Sequence, residues 1–128
     1  VAVETAATFT LSTAPTANEF DMNTDGQLRY TGTPTTNVFF TASVMLEIVN
    51  SGVDLELVMA VTKGGTIVTG AKTGGFCPRI HTNSVPMSVS GFASMATNDY
   101  LNIFVGNVDS TGNVVARMAQ LTAFSLVT

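Results

Sequence analysis

Between residues 38 and 49 every even position is apolar (Val38, Phe40, Ala42, Val44, Leu46 and Ile48), while the odd positions mix Phe39, Met45 and Val49 with Thr41, Ser43 and Glu47. Successive side chains of a strand point to opposite faces, so this register describes a long β-strand with one face in a core. A helix could not use it, because at 3.6 residues per turn alternate positions spread around the whole circumference. The same period of two recurs along the chain, and helical spacing is nearly absent. Residues 55–62 alternate Leu55, Leu57, Met59 and Val61 with Glu56, Val58, Ala60 and Thr62, and Lys63-Gly64-Gly65 then turns the chain into a strand at 66–69. Val85, Met87, Val89, Gly91 and Ala93 alternate with serines, and Pro86 there argues for a strand start or a sheet edge. Further strands are expected at 6–12, 27–31, 99–105 and 114–127. Residues 70–84, rich in glycine and holding Cys77, Pro78 and His81, read as the longest irregular connection. About eight or nine short strands without helices specify an all-β, two-sheet antiparallel sandwich.

The closing run carries the second constraint. Its even register holds Val114, Ala116, Met118, Phe124 and Leu126, and its odd register holds Val115, Ala119, Leu121, Ala123 and Val127. Both faces therefore read as largely buried, which one small domain cannot easily arrange. A second subunit can, so an obligate oligomer with this strand near the contact is expected. Composition agrees. Charged residues make up 11% of the 128 residues against about 25% in average soluble proteins, while 45% are hydrophobic.

The net charge of −4 and five scattered basic residues, Arg29, Lys63, Lys72, Arg79 and Arg117, give no footprint for nucleic acid. No apolar run approaches the ~20 residues of a spanning helix, so no membrane partner is expected. The chain divides into an N-terminal strand or arm at 1–18, rich in Thr, Ala and Pro, and a domain at 19–128, and it reads as complete without an upstream shaft.

From Gly26 onward the order of features resembles the trimeric jelly rolls of the tumour necrosis factor and complement globular-head superfamily. Asn37-Val38-Phe39-Phe40-Thr41-Ala42-Ser43-Val44 looks like the family's long central strand, and residues 55–67 with Lys63-Gly64-Gly65 look like its next hairpin. Val89-Ser90-Gly91, followed by Asn98-Asp99-Tyr100-Leu101-Asn102-Ile103-Phe104-Val105, resembles its apolar strand, its turn and the strand after it. Residues 115–127 match its terminal strand. The resemblance implies a homotrimer in which one sheet of each sandwich faces its neighbours, with the terminal strand central in that sheet. The low charge and the wording from Asn23 to Gly32 are closer to phage and viral members, which serve as capsid decoration proteins or as fibre heads.

Several residues could carry chemistry. Asp21, Asn23 and Asp25, followed by Gly26, match the opening of a calcium loop, but the twelfth position is Gly32 where a bidentate Glu belongs. A polar turn is the better reading, with a weak calcium site as the alternative. Cys77 and His81 fall short of the four ligands a structural zinc needs, and nothing marks a third group for a Cys-His nucleophile. No other cofactor is implied. Arg117, the one charge of the closing strand, must face solvent or pair across a subunit contact with an acid such as Glu47. Phe39, Met45, Arg117 and Leu121 are the trimer-interface candidates; Phe76, Arg79 and His81 are the contact-loop candidates. The function expected is non-enzymatic: a homotrimeric phage capsid decoration or cement protein, assembled in the host cytoplasm and sited on the virion surface. Its partners would be itself and the major capsid protein or other virion proteins. The alternative is a fibre-head domain that binds a host glycan or protein.

Overall fold

The computed structural model describes residues 3–6, 19–24, 26–49, 55–77, 84–108 and 113–126. Every element among them is a strand: β1 (Val3–Ala6), β2 (Phe20–Thr24), β3 (Gln27–Tyr30), β4 (Thr36–Val49), β5 (Leu55–Lys63), β6 (Thr66–Cys77), β7 (Ser84–Met95), β8 (Tyr100–Asn107) and β9 (Asn113–Ser125). They pair antiparallel in two sheets. The larger runs β2-β3-β8-β5-β6, with β1 also on β8; the smaller is β7-β4-β9.

The alternation read from the sequence becomes the core between these sheets. From the smaller sheet β4 contributes Val38, Phe40, Ala42, Val44 and Leu46, and β7 contributes Met87, Ala93 and Met95. Leu57, Met59 and Val61 of β5 meet them from the larger sheet, with Leu101 and Ile103 of β8 and Leu28 and Tyr30 of β3. Each fully buried aliphatic or aromatic side chain contributes about 1.5–3 kcal/mol, so the stripe on β4 alone accounts for a large share of the driving force.

Three expectations change. Residues 70–77 belong to β6 and not to a loop. Gly70 takes a positive φ of 80°, and the pairing skips from Thr62↔Ile67 to Ala60↔Lys72, so the extra residues form a bulge beyond which the strand resumes. Residues 20–24 form β2, where only a polar stretch and turn were expected. Phe20 is buried beside Tyr30, with ring centroids 5.5 Å apart, and tertiary packing rather than local pattern makes this strand. Of the strand expected at 6–12, only Ala6 lies among the described residues, as the end of β1.

The third change concerns β9. It is a flank of its sheet among the described residues, and β4 is the centre. Its register against β4 runs Leu46↔Ala116 and then Met45↔Met118, leaving Arg117 as the extra residue of a bulge. The bulge switches the phase of the strand. Val114 and Ala116 pack on the core before it, and Ala119, Leu121 and Ala123 after it. Apolar residues in both registers thus mark one inward face read through a change of phase, and not two buried faces.

That bulge is dictated by composition. An unbroken even register would drive Gln120 and Thr122 inward; an unbroken odd register would bury the Arg117 guanidinium. Both cost more than one irregular residue. Only a phase change between Ala116 and Ala119 keeps all three polar groups out.

Candidate functional site

The outward face of β7-β4-β9 is built from the residues the core does not use. Pairing sets them in rows across the three strands: Phe92, Phe39 and Phe124; Ser90, Thr41 and Thr122; Ser88, Ser43 and Gln120; Pro86, Met45 and Met118. Phe39 lies against Phe92 edge-on at a centroid distance of 5.2 Å and against Phe124 at 5.1 Å, so three strands place three rings in one cluster. The cluster stays open to solvent: Phe92 is 60% exposed, Phe124 49%, and Met118 at the other end 67%. Large side chains at such exposure cost little in isolation, but contiguous ones mark a contact surface.

Beyond the Met row sits an ion pair. Arg117 Nε donates to Glu47 Oε2 at 2.5 Å, within the same chain and between adjacent strands. The guanidinium holds the Glu47 carboxyl below its ordinary value of 4.5, and the bonded carboxylate raises Arg117 in turn. The pair neutralises itself, so the described residues of this face carry no net charge. Where the Met/Pro row meets the adjoining polar row there is an open depression of about 580 Å³, lined by Ser43, Met45, Pro86, Ser88, Met118 and Gln120 among others.

Of the interface candidates, Phe39 and Met45 lie on this face. Leu121 does not: after the bulge its register is inward, opposite Ala42, and it packs on the core. Arg117 pairs inside its own subunit, which removes the need for an acid from a neighbour. Sequence reasoning missed Phe92, Phe124 and Met118. Phe92 sat among serines and glycines, and Phe124 and Met118 were read in a strand with both faces buried because the phase change was not visible. The one available signal was Arg117 itself, a charge that no uniform register could accommodate.

The remaining candidates fall elsewhere. Both oxygens of Asp21 accept from Arg29, Oδ1 from Nε at 2.8 Å and Oδ2 from a terminal nitrogen at 2.6 Å. That bidentate pair lowers the Asp21 carboxyl, chiefly through the hydrogen bond, and a cation would have to displace a guanidinium to use it. The side chains of Asn23 and Asp25 lie outside the described residues. Asn102 Nδ2 donates to the Gly26 carbonyl at 3.1 Å, which ties the turn to β8. Phe76 is 64% exposed, but on β6 and not on a loop. Arg79 and His81 lie outside the described residues. Cys77 is buried at the end of β6. Among the described residues no group of three or more His, Cys, Asp or Glu side chains gathers into a cation site, and no helix is long and apolar enough to cross a membrane.

No family model matches the chain, and no curated protein matches it in sequence.

Proposed function

We propose that this protein is a non-enzymatic structural component of a phage virion, a homotrimeric jelly roll that decorates or cements the capsid. The observation that carries the reading is the uncovered face of the smaller sheet, with its aromatic cluster, its Met/Pro row and no net charge. Three strands at about 4.8 Å spacing and some ten residues at about 3.3 Å each make a face on the order of 15 by 35 Å. Side-chain relief enlarges its accessible area toward the ~800 Å² that each partner contributes to a standard interface. A chain with 11% charged residues has few means of keeping such a surface solvated alone. The strand orders β2-β3-β8-β5-β6 and β7-β4-β9 favour the jelly-roll assignment. The number three comes from the resemblance to the tumour necrosis factor-like family, whose subunits meet through one sheet.

A rigid trimeric knob of this kind acts by geometry. Its base touches several capsid subunits at once, and avidity makes individually weak contacts sufficient. The alternative reading, a receptor-binding fibre head, draws on Phe76, an exposed aromatic on the other sheet that suits a contact with a glycan or protein. Electron microscopy of intact particles carrying a tagged copy separates the two. Density at shell axes supports decoration, density at fibre tips supports receptor binding, and absence from the particle removes both.

A further inference from the structure

A strand at the edge of a sheet carries unpaired N–H and C=O groups, and folded proteins blunt such edges with charge, proline, bulges, brevity or cover. Among the described residues most edges of this sandwich show one of these devices. β1 and β2 are only four and five residues long, and β2 has an irregular register and the Asp21–Arg29 pair. β6 carries the bulge at Gly70, and β7 carries Pro86. These two edges also close on each other: a Cβ on Gly75 of β6 would sit 2.7 Å from Val85 Cγ1 of β7. β9 differs. It is 13 residues long, and β4 is its one neighbour among the described residues. The bulge at Arg117 ends its regular stretch on one side, and on the other Ser125 is tied by its hydroxyl to Glu19. Between them, Met118 to Phe124 hold no charge, proline or glycine.

We infer that this edge pairs with the same edge of a second copy, antiparallel about a twofold axis through Leu121, giving one continuous sheet in the order β7-β4-β9-β9-β4-β7. Structure and sequence agree on the centre. Leu121 is the midpoint of the regular stretch, and residues equidistant from it match in chemistry: Gln120 opposes Thr122, Ala119 opposes Ala123, and Met118 opposes Phe124. Directly opposed side chains of an antiparallel pair share a face and touch. On the outward face the pairing therefore sets amide against hydroxyl and thioether against ring, the latter a favourable contact in itself. On the inward face Ala119, Leu121 and Ala123 pack on the core but stay partly exposed, and each copy extends that row with an identical one. Moving the axis by one residue, to Gln120 or to Thr122, would oppose Met118 to Thr122 or Phe124 to Gln120 and mismatch the outward pairs. The rows of the face also lengthen in kind, since Phe92-Phe39-Phe124 of one copy runs on into Met118-Met45-Pro86 of the other. A twofold contact requires one patch to fit itself, and this symmetry about Leu121 is why the partner is a second copy and not an unrelated strand. The contact uses a backbone edge, so it goes beyond the threefold packing proposed for the outward face and does not rest on it.

The test is position-specific disulfide trapping on the full chain carrying Gln120→Cys or Thr122→Cys, both at exposed positions of the single subunit. In the inferred register position 120 of one copy opposes position 122 of the other, with Cα atoms about 5 Å apart and within reach of a disulfide. Equal positions in two copies of one variant lie about 8 Å apart, beyond that reach. Cys77 is buried, and the wild-type chain that carries it alone is the blank. Thermal melts verify that each variant folds. The expected result in a glutathione redox buffer is at least about tenfold more disulfide-linked dimer in an equimolar mixture of the variants than in either alone. Equal linking in all three samples, or none in the mixture, would overturn the inference. Hydrogen exchange on the wild-type chain is the second measurement and needs no substitution: between residues 118 and 124 the alternate amides that β4 does not bond should exchange more slowly as protein concentration rises. Exchange there that ignores concentration would overturn the inference as well. Sedimentation separates it from the trimer. Three-copy particles without either signal would remove the edge pairing and leave the face packing standing, and both signals in a two-copy particle would do the reverse.

Discussion

Single residues fix how this fold closes, and Tyr30 with Gly32 shows it most sharply. Tyr30 is fully buried, its hydroxyl donates to the Pro34 carbonyl at 2.9 Å, and its ring lies where a Gly32 side chain would begin: a Cβ there would sit 2.2 Å from the phenol oxygen. Gly32→Ala is therefore expected to displace the ring and cost about 1–3 kcal/mol, read as a lower urea midpoint with unchanged slope. Burial, followed by the Glu19 carboxylate, raises the Tyr30 hydroxyl, so the phenol stays protonated in its bond to Pro34. Glu47 gives a pH signature. Its folded carboxyl lies below its ordinary value of 4.5 because Arg117 bonds the ionised form. The stabilisation from that pair is complete above the unfolded value and lost as pH falls through the folded one. Acid titration of thermal stability should show a decline beginning near pH 4.5 that Glu47→Gln reduces, while stability at neutral pH in that variant is already lower.

At the scale of elements, β9 is the most informative strand. Its bulge at Arg117 places Met118, Gln120, Thr122 and Phe124 outward, and a one-residue slip would exchange both faces. Arg117→Val makes the odd register apolar from Val115 to Ala123, so the bulge loses its cause. Amide resonances of residues 113–117 should then double, reporting two registers, while those of 119–125 stay single; Arg117→Lys should keep one set. A single unchanged set for the Val variant would show that the pairing with β4, not the charge, pins the bulge. The edge strand β7 shows the opposite economy. Pro86 lacks a donor and occupies a strand with one neighbour among the described residues, where the sequence placed it, and it joins the outward row beside Met45.

At the scale of the whole molecule, the two sheets divide the surface unequally. The smaller one turns a partly aromatic face, without net charge among its described residues, to solvent, and under the proposed self-association contact through it would follow apolar rather than ionic rules. Association should therefore persist from low salt to about 1 M sodium chloride, where exposed ion pairs are screened within ~3 Å, and should tighten in sulfate. Sedimentation across that series checks it: dissociation by salt would point to charged loops as the contact. The glycine-rich stretch through residues 70–77 adds to the other sheet as part of β6, which leaves Phe76 on a strand paired with β5, opposite Glu56.

The sequence by itself determined that this chain is an all-β sandwich, because a period of two needs no partner to be read: Val38 to Leu46 on β4 and Leu57 to Val61 on β5 declare their inward face from spacing alone. It also exposed Arg117 as a residue in conflict with its strand. Only the tertiary structure decided how that conflict resolves, since a bulge exists in the pairing of two strands and not in either one. The same holds for Phe92, Phe39 and Phe124, which are far apart in the chain and become one surface through the registers of β7 and β9 on β4.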